Sequence, residues 1–374
     1  MRRHVWRRRG VGIGSAAINK KSELVHPLTA PDRLGGVTQV APGVLWVRMP
    51  LDDRLNHINV WLLADGDGWT LVDTGVDSEE IRVLWDRVFA EHVRGPLKRV
   101  ICTHYHPDHV GLAGWMQKRS GVDVWMTAAE IEAARRGVTE PTAEGNAAIQ
   151  GFFRGFSTDS AAIARQDDFW KVLSSMIYPL PAAVRLIDDP SIVIGEFEWR
   201  VIIGRGHSPE HVCLYCDRLQ LLIAGDQVLP GISSNVSIDP LAPDADPLQL
   251  YLDSFAALSR LPPDVWVLPS HRDVFVGLHQ RIDSLINGVH RRLANIVDIC
   301  REQADADRIL SALYPGEMNE LSWRLAVGEM AAYLNRLQRD GRIERTTTVD
   351  GSSRWRSADP HGELDEPSIH VEKS

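Results

Sequence analysis

The spacing of apolar positions changes several times along the chain, and each change marks an element. From residue 36 to 75 the apolar residues fall in short alternating runs, VTQVAPGVLWVRM and then NHINVWLLADGDGWTLVDTG. Asp65-Gly66-Asp67-Gly68 turns one run back on the next, a hairpin signature. Asp77 to His92 follows a helical period, opening on an Asp77 or Ser78 cap with Glu80 in the first turn. RVICTH (99–104) is predicted as a strand, HPDHVGLAGWMQKRSG as a turn running into a helix, and VDVWMT (122–127) as a strand again. Residues 128–181 are helical and irregular, with aromatic residues at Phe152, Phe153, Phe156, Phe169, Trp170 and Tyr178. Strands resume in SIVIGEF, FEWRVIIG, VCLYC, LQLLIAGD and VWVLPSH. After Phe275 the period is helical until a final strand pair in RTTTVDGSSRWR.

This pattern divides the chain into a basic, disordered arm (1–35), an α/β domain (36–275) with a helical insert at about 128–181, a helical domain (276–356) and a polar, disordered tail (357–374). The strand-rich blocks 36–127 and 190–271 read as two similar halves packed as a sandwich.

Composition narrows the partners more than the fold. Hydrophobic residues at 44% and charged residues at 24% suit a soluble globular chain of 374 residues. A formal charge of −9 disfavours a polyanionic partner, because binding phosphates needs a positive field. No apolar run approaches the ~20 residues of a membrane helix. The opening MRRHVWRRRGVGIGSAAINKK is basic but lacks the apolar stretch of a secretory signal, which leaves a cytoplasmic location as the expectation. Cys102, Cys213, Cys216 and Cys300 are too scattered for a disulfide framework. Cys213 and Cys216 form a C-x-x-C, but an offset of three along a strand sends the sulfurs to opposite faces, which predicts core packing.

Candidate chemistry concentrates in Thr103-His104-Tyr105-His106-Pro107-Asp108-His109. Imidazole nitrogens and a carboxylate oxygen suit Zn²⁺, Mn²⁺ or Fe²⁺. His104 ends a predicted strand, and Asp108 and His109 open a helix, so the turn between them projects these groups to one end of a sheet. His207 follows the strand RVIIG, Asp226 ends LQLLIAGD and His271 ends VWVLPSH. Four strands each delivering a ligand-type residue at the C-terminal end form one constellation.

The run T-H-Y-H-P-D-H-V-G resembles the H-x-H-x-D-H signature of the metallo-β-lactamase superfamily. GHSPEH, AGDQ and PSH resemble its later ligand motifs in the right order, and Val72-Asp73-Thr74-Gly75 resembles its early Asp-x-Gly element. The resemblance covers about residues 40–275. It implies a four-layer αβ/βα sandwich with two divalent metal ions at one edge, zinc first, with iron and manganese also compatible with this ligand set. By that resemblance His104, His106 and His207 hold one ion, Asp108, His109 and His271 the other, and Asp226 bridges. Asp73 would support the site, His211 would lie beside it as a structural residue, and His57 and Asn59 would edge the pocket. A metal-bridging hydroxide would attack the substrate, with Asp108 as the catalytic residue that orients it and takes up its proton.

Three substrate classes follow. The first is a thioester or carboxylic ester of an acyl carrier such as glutathione or coenzyme A, since GHSPEH resembles the glyoxalase II branch. The second is a lactone or β-lactam. The third is a phosphodiester, because the helical segment after residue 275 resembles the winged-helix tail of the lactamase-β-like protein group, which includes nucleases. Residues 276–345 carry ten Arg, ten acidic residues and no Lys, too balanced for a phosphate reader. The tail is therefore expected to pack or dimerise, in a homodimer, and the partner to be a small acyl substrate held by the insert aromatics, Trp170 among them.

Overall fold

The computed structural model of the protein describes residues 24–51, 55–347 and 353–359. The chain opens with β1 (Val37–Ala41), β2 (Val44–Pro50), β3 (His57–Asp65) and β4 (Gly68–Val72), then α1 (Glu79–His92), β5 (Leu97–Ile101), α2 (Pro107–Val110), α3 (Ala113–Ser120) and β6 (Asp123–Met126). The insert follows as α4 (Ala128–Gly137), α5 (Ala143–Phe156), α6 (Ser160–Arg165) and α7 (Phe169–Ser175). β7 (Val184–Leu186) completes a sheet in the order β1-β2-β3-β4-β5-β6-β7, antiparallel up to β4 and parallel beyond it.

The second half supplies β8 (Ser191–Ile194), β9 (Phe197–Gly204), β10 (His211–Cys216), β11 (Leu221–Gly225), α8 (Pro247–Leu258), β12 (Trp266–Pro269) and β13 (Phe275–Val276). These strands form a second sheet in the order β13-β12-β11-β10-β9-β8. α9 (Leu278–Ile299), β14 (Ala304–Asp305), α10 (Ala306–Leu313), α11 (Glu320–Arg339), β15 (Ile343–Thr347) and β16 (Ser353–Ser357) end the described chain, with the last strands ordered β14-β16-β15.

Period-two burial explains why the sheets stack. On β3, Ile58, Val60 and Leu62 face the outer layer with Ile81 and Trp85 of α1, whereas Trp61 and Leu63 face the second sheet. Between the sheets lie Trp46, Trp61, Val72 and Ile101 from one side and Trp199, Val212, Leu214, Ile223 and Leu268 from the other. The outer face of the second sheet, with Tyr215, Leu222 and Val267, is covered by α8, α9 and α11. The result is the αβ/βα sandwich. Cys213 lies in this outer layer and Cys216 between the sheets, the opposite faces that the offset of three requires, and both are free and buried.

Three features depart from the sequence pattern. Residues 24–35 do not form an arm: Val25 pairs antiparallel with Val276, and Gly35 N–H donates to the Arg48 carbonyl at 2.6 Å. The basic run before them, like the tail after residue 359, lies outside the described residues. The apolar pattern predicts no helix at Pro247–Leu258, yet Asp246 caps it through the Gln249 amide and Pro247 takes its first position. The insert aromatics do not pack only on one another. Phe153 lies 5.3 Å from Trp323 and Phe156 5.8 Å from Trp355, ring centre to ring centre. Arg324 stacks on Phe153 and Phe169, so the insert is welded to the C-terminal helices. Among the described residues no helix is long and apolar enough to cross a membrane.

Candidate metal centre

The ligand-type residues leave the C-terminal ends of β5, β9, β11 and β12 and meet at one edge of the sandwich. β5 stops at Ile101, three residues earlier than the pattern RVICTH suggests, so Thr103 and His104 belong to the turn. α2 then starts at Pro107 with His106 extended before it, which aims Asp108 and His109 back toward the same edge. β10 follows His207 after a short turn, and Asp226 follows Gly225 directly.

Two groups of donor atoms form there. His104 Nε2 lies 2.9 Å from His106 Nδ1 and 3.2 Å from His207 Nε2. Asp108 Oδ2 lies 3.4 Å from His109 Nε2 and 3.3 Å from His271 Nε2. Asp226 stands between them, with Oδ1 at 3.6 Å from His109 and 3.4 Å from His271, and Oδ2 at 3.5 Å from His207. A tetrahedral ion with bonds of about 2.0–2.2 Å separates its ligands by roughly 3.3–3.6 Å, which the distances around Asp108 and Asp226 match, while His104 and His106 stand closer.

Polar bookkeeping points to the same conclusion. His109 Nε2, His271 Nε2 and Asp226 Oδ1 are buried without a hydrogen-bond partner, and all three turn into the cluster. The opposite ring atoms are committed elsewhere: His109 Nδ1 to Asp73 Oδ2 at 2.9 Å, His207 Nδ1 to the Asn235 carbonyl at 2.7 Å, and His271 Nδ1 to the His57 carbonyl at 2.9 Å. Those bonds place a hydrogen on Nδ1, so in the neutral rings the Nε2 lone pairs converge on one another. Such convergence repels unless a cation sits within it.

Burial, and after it the neighbouring imidazoles, pushes His104 well below its ordinary pKa. His106 is pushed down to about 3 by burial and by His207. Both are therefore neutral donors. His109 and His271 go the other way. Burial lowers them, but Asp108 and Asp226 outweigh it and raise His271 to about 10 and His109 well above its usual value. In the metal-free protein these two rings hold protons that a divalent ion would displace.

The supporting residues resolve into distinct jobs. Asp73, at φ 62°, accepts from the Thr103 amide at 2.8 Å and orients His109. His211 accepts from the Asp226 amide at Nε2 (3.0 Å), so its ring holds the backbone that carries the Asp226 carboxylate. That ring lies flat on Gly225, where a Cβ would come within 2.3 Å of it, so no side chain fits there. His57 and Asn59 do not edge a pocket. His57 accepts from the Arg272 amide at 3.2 Å, and Asn59 donates to the carbonyls of Pro269 (2.8 Å) and Arg272 (2.7 Å), so both hold the His271 turn. Trp170 is not brought into the cluster; its half-buried ring packs against Lys171 in α7.

One residue had no forecast. Glu130 of α4, fully buried, accepts from the Tyr105 amide (2.9 Å), the Ser208 hydroxyl (2.6 Å) and the Glu210 amide (2.7 Å). It clamps the His104–His106 turn to the His207 turn. Burial raises its carboxyl to about 7 against the pull of these donors.

Comparison with known proteins agrees with this geometry. Residues 53–271 match the family model of the metallo-beta-lactamase superfamily, and residues 293–358 match that of the metallo-beta-lactamase-like C-terminal domain. The chain is 24% identical over 324 residues to the "Probable metallo-hydrolase YqjP" of Bacillus subtilis (strain 168), covering 80% of this chain and 93% of that protein. It is 25% identical over 197 residues to the human acyl-coenzyme A thioesterase MBLAC2, covering 50% of this chain and 64% of that one. A beta-lactamase domain protein from Burkholderia ambifaria superposes with a TM-score of 0.81 at 37% identity, over 89% of this chain and 98% of that one. A metallo-beta-lactamase family protein from Thermus thermophilus gives 0.72 at 23% identity, over 85% and 100%.

Proposed function

The chain belongs to the metallo-beta-lactamase superfamily, and from that premise we propose that it is a two-metal hydrolase that cleaves a thioester, or a carboxylic ester, of a small acyl substrate. The observation that carries the two-metal reading is Asp226, whose two carboxylate oxygens face different donor groups, one His207 and the other His109 with His271. His104, His106 and His207 would hold one ion and Asp108, His109 and His271 the second, zinc being our choice for this nitrogen and oxygen set. Two such ions, when bound, supply Lewis acidity and a water that ionises near neutral pH.

The protein's part is to position. Asp108 turns Oδ2 to His109 and His271, which leaves its other oxygen to accept from the attacking water and orient it. Asp73, His211, His57 and Asn59 fix the ring planes and the bridging carboxylate, so the site is assembled before substrate arrives. The thioester assignment draws support from the likeness to the human acyl-coenzyme A thioesterase. It draws none from the insert aromatics, which are spent on the C-terminal helices.

The test is a substrate panel on zinc-loaded protein: acyl-thioesters, p-nitrophenyl esters, lactones, a β-lactam and bis-p-nitrophenyl phosphate. Thioesters should show the highest kcat/KM, and chelation should abolish turnover. A lactone, β-lactam or phosphodiester turned over a hundredfold better than any thioester would overturn the substrate class and leave the hydrolase assignment standing.

A further inference from the structure

A cavity of about 520 Å³ lies between the 231–236 loop, α8, α9 and the C-terminal helices. It shares a wall with the metal centre. Ser234, which lines it, donates to the Asp226 carbonyl, and the Asn235 carbonyl in the same loop accepts from His207. Its charge is opposite to that of the chain. The protein carries a formal −9, yet the lining includes Arg281, Arg291 and Arg292 and no carboxylate.

Those arginines differ in what they are free to do. Arg281 is anchored on the carbonyls of Leu229 and Ile232, at 2.6 Å each, which fixes its position without neutralising it. Arg292 is paired behind the wall with Glu329 at 3.1 Å. Arg291 is exposed at the rim. All three lie on the broad face of α9 that lines the cavity, Arg281 and Arg292 nearly in line and Arg291 about 80° to one side, and at 1.5 Å per residue the backbones of Arg281 and Arg291 stand about 15 Å apart along the axis. Gly288 sits between them, and a Cβ there would meet nothing nearer than the Arg291 guanidinium at 3.8 Å, so a side chain fits at this point and Arg291 turns its charged end over it. The cavity is a slot with positive charge along its length, suited to a ligand with several separated anionic groups.

We propose that this slot seats the phosphate-bearing end of the thiol carrier whose thioester is cleaved at the metal centre, an inference that rests on the function proposed above. Arg291 would meet the anion directly, Arg281 would contribute field from a fixed position, and the shared loop would set the carrier's thiol end beside Asp226.

The experiment compares two thioesters with one acyl group: the coenzyme A thioester, and the N-acetylcysteamine thioester, which keeps the thiol end and lacks the phosphates. Arg291→Ala removes an exposed side chain, and Gly288→Met fills the slot from a helical position with room for it, so neither should unfold the protein. In metal-loaded full-length enzyme each should raise KM for the coenzyme A thioester by about ten- to a hundredfold, the worth of a hydrogen bond to a charged group. KM for the truncated thioester should stay within about twofold. Calorimetry with free coenzyme A should show the same loss of affinity. Hydrolysis of both thioesters with no selective effect of either variant would overturn the slot and spare the function. If neither thioester is hydrolysed but coenzyme A binds and Arg291→Ala abolishes binding, the slot stands and the function falls. An equal Arg291 dependence with a glutathione thioester would overturn the phosphate assignment, and absence of both hydrolysis and binding would sink the two together.

Discussion

Glu130→Ala tests whether the ligand geometry is imposed by the residues behind it. Glu130 contacts no candidate ligand, yet its two oxygens hold the amide of Tyr105, between His104 and His106, and the hydroxyl of Ser208 and amide of Glu210, around His207. Truncation leaves three donors without an acceptor. An unmade buried hydrogen bond costs about 1–3 kcal/mol, so three give a loss of roughly 3–9 kcal/mol in stability, less whatever water recovers by entering the space. The effect on metal should be unequal. Removing such supporting partners costs about 10–100-fold in affinity, and here it should fall on the ion held by His104, His106 and His207. The ion held by Asp108, His109 and His271 depends on Asp73 and the His57 carbonyl, which Glu130 does not touch. Stepwise titration against a chromophoric chelator, with the melting temperature of the metal-free protein measured in parallel, separates the two effects. Glu130→Gln serves as the milder variant, keeping one acceptor and the side-chain volume. If the folded Ala variant binds both ions with wild-type affinity, the clamp plays no part in forming the site.

Three further outcomes follow. Asp226→Ala should retain at most one ion by elemental analysis, since two cations about 3.5–4 Å apart repel without a bridging anion; two ions in the variant would refute the bridge. In metal-free protein the raised pKa of His271, from an ordinary 6.5 to about 10, stabilises the fold fully below pH 6.5. That contribution is lost as pH climbs toward 10, so the metal-free melting temperature should fall across this window while the loaded protein's does not; a flat metal-free profile would contradict the ion pairing. Phe153→Ala should cost about 3–5 kcal/mol, the usual penalty for emptying a buried aromatic site, while changing KM equally for short and long acyl chains. A chain-length-dependent KM would return the insert to the substrate pocket.

The ligand set was legible because its chemistry is local: HYHPDH packs the donor types into six positions, and the remaining donors each follow an apolar strand. Part of the support was not, because it acts across the chain. Glu130 meets partners 25, 78 and 80 residues away. Locally it reads as the last residue of a Thr127-x-x-Glu130 capping box, a reading that half holds, since Thr127 does accept the Glu130 amide at 3.4 Å. The sequence likewise shows that Phe153 and Phe156 must be covered, but not that Trp323 and Trp355, about two hundred residues on, are what covers them. Helix α8 is a different failure, since its cap and its Pro247 were in plain view and only the strand-rich surroundings argued against it.

The distribution of the donors between the sheets makes the centre part of the fold as well as of the chemistry. His104, His106, Asp108 and His109 come from the first sheet, after β5; His207, Asp226 and His271 come from the second, after β9, β11 and β12. Each donor group therefore takes members from both sheets, and on the proposed two-metal reading an ion in either position would cross-link the two halves of the sandwich. Protein hydrogen bonds cross the same edge: the Val212 amide reaches the Thr103 carbonyl at 2.9 Å, the Asn59 amide the Ser270 carbonyl at 2.6 Å, His57 and Asn59 hold the 269–272 turn, and Glu130 takes Ser208 and Glu210. His109 Nε2, His271 Nε2 and Asp226 Oδ1 lie between the sheets without a hydrogen-bond partner, so an ion there satisfies polar atoms that the protein alone leaves unpaired. Metal binding and closure of the sandwich edge should consequently be one event, with affinity measured on the metal-free chain containing the work of bringing the two sheets into register.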